Sequence, residues 1–67
     1  MISITVNGEP RRFEAPLNCA ELLARLELAG KRVALERNGE IVPRSRHDRE
    51  RIADGDRLEI VVAVGGG

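Results

Sequence analysis

Apolar and polar residues alternate at the start of the chain, with Ile2, Ile4 and Val6 set against Ser3, Thr5 and Asn7. A period of two predicts a strand with one buried face, and Asn7-Gly8 directly behind it predicts a tight hairpin turn. On the return strand Phe13 takes the buried side, while Arg12 and Glu14 fall on the other. A hairpin covered on one face only needs an apolar element to lie against it.

The spacing then changes to three and four. Cys19, Leu22, Leu23, Leu26 and Ala29 form one apolar stripe, with Glu21, Arg25 and Glu27 largely outside it, so a helix is predicted to lie on the sheet. Pro16 stops the preceding strand. Asn18 followed by Glu21 is a variant of the capping box, and Gly30 is expected to close the helix in the left-handed conformation.

Val33 and Leu35 alternate with Ala34 and Glu36 in a short third strand, and Asn38-Gly39 turns the chain into a brief Ile41-Val42 strand that Pro43 ends. From Arg44 to Arg51 the chain is polar, which predicts a connecting surface loop with room for one helical turn, anchored where Ile52 returns. Asp54-Gly55-Asp56 marks a last turn. After it Leu58, Ile60, Val62 and Val64 share one strand face, and Glu59, Val61 and Ala63 share the other. A strand this apolar on both sides belongs inside a sheet.

Hairpin, helix, strand, short strand, loop and final strand is the order of an α+β roll with one helix across a mixed sheet of four to five strands. It is the order of the β-grasp, or ubiquitin-like, fold. Residues 1–64 are expected to form that domain and residues 65–67 a flexible glycine tail. The fold by itself fixes no function, because one fold hosts many activities.

Composition narrows the choice. Sixty-seven residues make one small domain, which buries only about 60 % of the surface of its unfolded chain and has little room for an enzyme pocket of several hundred Å³. Eleven Lys and Arg balance eleven Asp and Glu, and Phe13 is the only aromatic, so neither a basic footprint nor a stacking platform for nucleic acid is present. A protein partner is the expected one. A lone cysteine, the absence of a leader pattern and the absence of a long apolar run predict a soluble, cytoplasmic protein with no membrane contact.

The chain ends in Gly65, Gly66 and Gly67. At average glycine usage, three glycines at one chosen place arise by chance in roughly 3 of 10,000 chains. Glycines following an apolar strand have no packing role, can adopt backbone conformations closed to other residues, and reach roughly 10 Å beyond a fold. With Val64, such a tail can thread a narrow channel in a partner. Its end is a free α-carboxylate, ionised at neutral pH and a poor acylating agent until a partner adenylates it with ATP. A sulfur donor can then open the acyl-adenylate to a thiocarboxylate.

Three stretches resemble the ThiS family, the sulfur carriers of thiamin biosynthesis: Ile2 to Gly8, the run from Leu35 to Arg44, and the ending from Asp54 through Ile60-Val61-Val62 to Gly67. The resemblance covers nearly the whole chain. It implies that Gly67 is the sulfur attachment site and that the chain is a substrate of enzymes, with no catalytic residue and no bound cofactor, the ATP being used by the activating partner. The implied partners are an E1-like adenylating enzyme, a sulfur donor such as a cysteine desulfurase, and thiazole synthase. Molybdopterin-synthase small subunits share the fold and a Gly-Gly end, but the shortness of this chain and its Val42-Pro43-Arg44 stretch look more like the thiamin branch. A non-covalent β-grasp adaptor with an inert tail is the alternative of another class.

Other residues have plainer readings. Cys19 sits at a helix N-terminus, where a thiolate is favoured, yet its place on the apolar stripe reads as buried filler. His47 stands without a second ligand at metal spacing and reads as part of a solvated loop. Asp48 and Glu50 interleave with Arg44, Arg46, Arg49 and Arg51 in a mixed run typical of soluble surface. Val61 and Ala63, on the sheet face away from the helix, are the candidate partner-binding face.

Overall fold

The structure, a computed structural model, describes residues 1–63. Strand β1 (Ile2–Val6) turns at Asn7 and Gly8 into β2 (Glu9–Phe13). Both turn residues have positive φ, 51° and 82°, the backbone twist that a two-residue hairpin needs and that Asn and Gly tolerate best. The register sets Ile2 opposite Phe13 and Val6 opposite Glu9. Ile2, Ile4 and Val6 are buried and Ser3 is exposed, as the alternation requires.

Helix α1 (Cys19–Arg25) opens with a reciprocal capping box. Asn18 Oδ1 accepts from Glu21 N at 2.7 Å, and Glu21 Oε1 accepts from Asn18 N at 2.9 Å. The other free amides of the first turn are met by the loop predicted as a mere connector: Cys19 N donates to Glu50 O and Ala20 N to His47 O, at 3.0 and 2.9 Å. That loop therefore caps the helix, and Asn18 Nδ2 ties to it again through Asp48 O.

The helix stops well before Gly30. Leu28 N donates to Leu23 O at 2.8 Å and Glu27 N to Ala24 O at 3.0 Å, the paired bonds of a Schellman motif, with Glu27 in the left-handed conformation at φ 61°. Leu28 consequently packs against the core and Ala29 is exposed, so the expected stripe loses its last member. Gly30, at φ 83°, serves the following turn instead.

The remaining strands are β3 (Val33–Arg37), β4 (Glu40–Ile41) and β5 (Arg57–Val62). Their order in the sheet is β2-β1-β5-β3-β4. Strand β5 lies in the middle, parallel to β1 and antiparallel to β3, as its two apolar faces predict. Val42 falls outside β4 and is buried, its N–H donating to Leu35 O at 2.8 Å. Leu22, Leu35, Ile52, Leu58 and Cys19 are the most deeply buried side chains, where helix and sheet meet.

The polar loop contains a 3-10 turn (Arg44–Arg46). His47, expected in solvent, is 8 % exposed, and its Nε2 lies 3.1 Å from Val42 O. A ring that carries a proton on Nε2 donates it to that carbonyl. The surrounding arginines and acids stay outside while the imidazole turns in, a choice made by tertiary packing that the local sequence does not contain.

Candidate functional site

The residues that lead to the glycines are held at the centre of the sheet. β5 pairs with β3 from Leu58 opposite Arg37 to Val62 opposite Val33, and beyond it Ala63 N donates to Arg32 O at 2.9 Å. On the β1 side, pairing as a strand covers only Thr5 with Arg57 and Val6 with Leu58. Asn7 extends it: its Oδ1 accepts from Ile60 N at 2.8 Å and its Nδ2 donates to Ile60 O at 3.1 Å. A turn side chain thus takes the place of a further strand residue. Sequence reading assigned Asn7 to the hairpin turn alone; its second role rests on a contact spanning 53 positions.

A second polar hub anchors the start of β5. Arg37 Nε donates to Asp56 Oδ2 at 2.6 Å, and its Nη1 donates to Glu50 Oε2 at 3.0 Å. Asn38 Nδ2 donates to Asp56 Oδ1, Ala53 N donates to Asp56 Oδ2, and Arg57 N donates to Asn38 Oδ1. The run from Leu35 to Arg44 and the Asp54-Gly55-Asp56 turn therefore bear on each other directly. Burial opposes ionisation of Asp56, but the bonds from Ala53, Asn38 and Arg37 outweigh it and hold the carboxyl below the usual range.

Of the predicted partner-face residues, Val61 lies on the open face opposite Ala34 and is 64 % exposed. Ala63 is exposed just past the strand. Val64, Gly65, Gly66 and Gly67 lie outside the described residues. Two residues earlier than Val61, on the same face, Glu59 stands directly opposite Glu36. Ile41, opposite Glu36 on its other side, is 62 % exposed.

Cys19 is fully buried, and burial, followed by the nearby Glu50 carboxylate, pushes its thiol up to about 11. It stays protonated at neutral pH and is no nucleophile. Among the described residues no group of three His, Cys, Asp or Glu is placed to hold a metal ion. Among the described residues no helix is long and apolar enough to cross a membrane.

Comparison with known proteins gives a consistent picture. The model of a family described as the ThiS family matches residues 4–67. The chain is 45 % identical over 65 residues to the sulfur carrier protein ThiS of Bacillus subtilis, covering 96 % of this chain and 98 % of that protein. It is 44 % identical over 66 residues to a thiazole synthase of Paramagnetospirillum magneticum, covering 98 % of this chain and 20 % of that protein. The chain thus spans about a fifth of the length of that relative. A crystal structure of the thiamine biosynthesis protein ThiS from Geobacter metallireducens superposes with a TM-score of 0.83 at 38 % identity, covering 98 % of this chain and all of that one.

Proposed function

The chain belongs to the ThiS family of sulfur carriers in thiamin biosynthesis, a carrier and not a catalyst, and we propose that its working group is the carboxylate of Gly67. The observation that carries this is the family match, which runs from residue 4 through residue 67. The β-grasp frame with β5 at its centre supports it, because whatever follows Ala63 leaves from a strand pinned on both sides.

In the proposed sequence a partner enzyme holds ATP beside the tail. A Gly67 carboxylate oxygen attacks the α-phosphorus, a new P–O bond forms, and pyrophosphate leaves with the electrons of the bond broken. A sulfur nucleophile at the level of hydrosulfide then attacks the carbonyl carbon. The C–O bond to AMP breaks and a thiocarboxylate remains. A donor persulfide delivers the same atom once a thiol takes up its other sulfur in a disulfide.

Gly65 and Gly66 contribute by lacking side chains, which lets a backbone pass where a Cβ would not. Thiazole synthase is the proposed acceptor of the sulfur. In the Paramagnetospirillum magneticum thiazole synthase a stretch like this chain is part of the enzyme's own polypeptide, which supports that pairing.

Removing Gly67, or adding one residue after it, tests the assignment with little effect on the packed domain. Both variants should keep the native circular dichroism spectrum and lose thiocarboxylate formation. Modification retained by either would overturn the role given to Gly67.

A further inference from the structure

The chain carries eleven basic residues, of which Lys31 is the only lysine and the rest are arginines. The difference is chemical, because a guanidinium stays protonated and is no nucleophile, whereas an amine can attack an activated acyl group. Two amines are therefore open to acylation, Nζ of Lys31 and the α-amino group of Met1.

The register sets these two amines at opposite ends of the sheet. β1 runs parallel to β5, with Thr5 beside Arg57. Met1 lies four residues before Thr5 and Ala63 six residues after Arg57, so ten residue steps, roughly 33 Å along the strands, part them. Lys31 is at the Ala63 end. Val33 stands opposite Val62, and Arg32 O accepts from Ala63 N at 2.9 Å, which sets Lys31 one residue further along. Lys31 is exposed, its backbone N–H donates to Leu28 O at 3.1 Å, and among the described residues its side chain takes part in no ion pair.

From Ala63 to Gly67 is four residues, a reach of at most about 14 Å. That covers Lys31, whose own long side chain shortens the gap, and falls far short of Met1. Three of the four residues are glycines, to which the positive φ values that turn a chain back on itself are open.

We infer that Lys31 is a self-acylation site: when the activated Gly67 carbonyl is not met by sulfur, Lys31 Nζ of the same chain captures it as an internal amide. This presupposes the carrier reading above. The uncharged amine attacks the carbonyl carbon of the Gly67 acyl-adenylate, and a C–N bond forms. The C–O bond to the phosphate breaks, AMP leaves with its electron pair, and the proton from nitrogen passes to water. Nothing is oxidised or reduced, and carboxylate, amine and ATP give amide, AMP and pyrophosphate. A tail threaded into a partner's channel keeps Gly67 away from Lys31, so closure follows its release. A tether this short holds the two groups at an effective concentration of about millimolar, which favours closure within one chain over attack by a second. The product has no free carboxylate and is withdrawn from the sulfur cycle.

Incubating the intact chain with the activating enzyme and ATP, without a sulfur source, tests this. The expected product is a species lighter than the parent by one water and stable to hydroxylamine, in which fragmentation finds Lys31 joined to Gly67. Adding the sulfur source should suppress it in favour of the thiocarboxylate. Lys31→Arg should abolish it while carrier-dependent exchange of pyrophosphate into ATP continues at the parent's rate. Lys31→Arg with Arg12→Lys moves the only lysine to β2, opposite Ser3 and near the Met1 end, and should not restore it.

Undiminished pyrophosphate exchange without the lighter species would overturn the self-acylation site. So would the lighter species in Lys31→Arg, which would place the acylation elsewhere, or a product of twice the mass, which would make the reaction one between chains. If the unaltered chain supports no pyrophosphate exchange, the carrier reading itself fails and takes this inference with it, an outcome told apart by the missing exchange.

Discussion

The amide of Asn7 bridges both backbone groups of Ile60, with contacts of 2.8 and 3.1 Å across 53 positions of sequence. Through it the hairpin turn holds the strand that leads to the glycines. Asn7→Ala should destabilise the domain by about 2 kcal/mol, since two bonds worth roughly 1 kcal/mol each are lost and the positive φ is left to a residue less suited to it. Asn7→Asp keeps the acceptor for Ile60 N and should cost about half as much. Urea denaturation of the two variants checks the gradation; equal losses would show that the acceptor kept in Asn7→Asp contributes nothing.

Glu27 closes the helix at φ 61° where glycine is the common choice. Glu27→Gly should therefore raise stability by about 0.5 to 1 kcal/mol, in contrast to glycine placed inside a helix. A thermal scan decides the sign. A lower Tm would mean that the exposed glutamate contributes an interaction greater than the strain it bears.

Arg37 joins two carboxylates, of which Asp56 is nearly buried. Arg37→Ala should cost about 2 kcal/mol at neutral pH, because it leaves Asp56 charged and short of a partner. Asp56 has a folded pKa below its unfolded one, so its contribution is present above the unfolded value and is lost as pH falls through the folded one. Stability measured from pH 6 down to acid should accordingly fall less steeply in the variant than in the parent. Parallel curves would place the acid sensitivity elsewhere.

Cys19 titrates on the alkaline side. Its folded pKa of about 11 lies above the ordinary thiol value of 9.0, so the unfolded chain loses the thiol proton first. Stability should decline as pH rises from about 9 toward 11, by roughly 1.4 kcal/mol for each unit of separation at most. Cys19→Ala should remove that decline, and the native thiol should react with a disulfide reagent only as fast as the protein opens. Rapid labelling of the folded protein at neutral pH would contradict the burial.

Much of this was legible in the sequence because it is local. The alternation of Ile2, Ile4 and Val6, both Asn-Gly turns, the Asn18 and Glu21 cap and the two-sided apolar character of β5 each follow from residues a few positions apart. What escaped depends on long-range packing or on a residue acting against its preference. Glu27 takes a conformation that its type disfavours, so Gly30 was the natural but mistaken helix end. His47 turns inward to Val42 among arginines that stay out. The loop from His47 to Glu50 looks like a solvated connector until its carbonyls are seen to cap the helix. The opposition of Glu36 and Glu59 requires the register of β3 and β5, which no local pattern gives.

The central claim is that sulfur is carried on the Gly67 carboxylate. Incubating the intact chain with the activating enzyme, ATP and a sulfur source, then recording its intact mass and fragmenting it, tests this most directly. A mass increase equal to one oxygen replaced by sulfur, dependent on ATP and located on Gly67, is the predicted result. No shift under those conditions, or a shift located on Cys19, would contradict it.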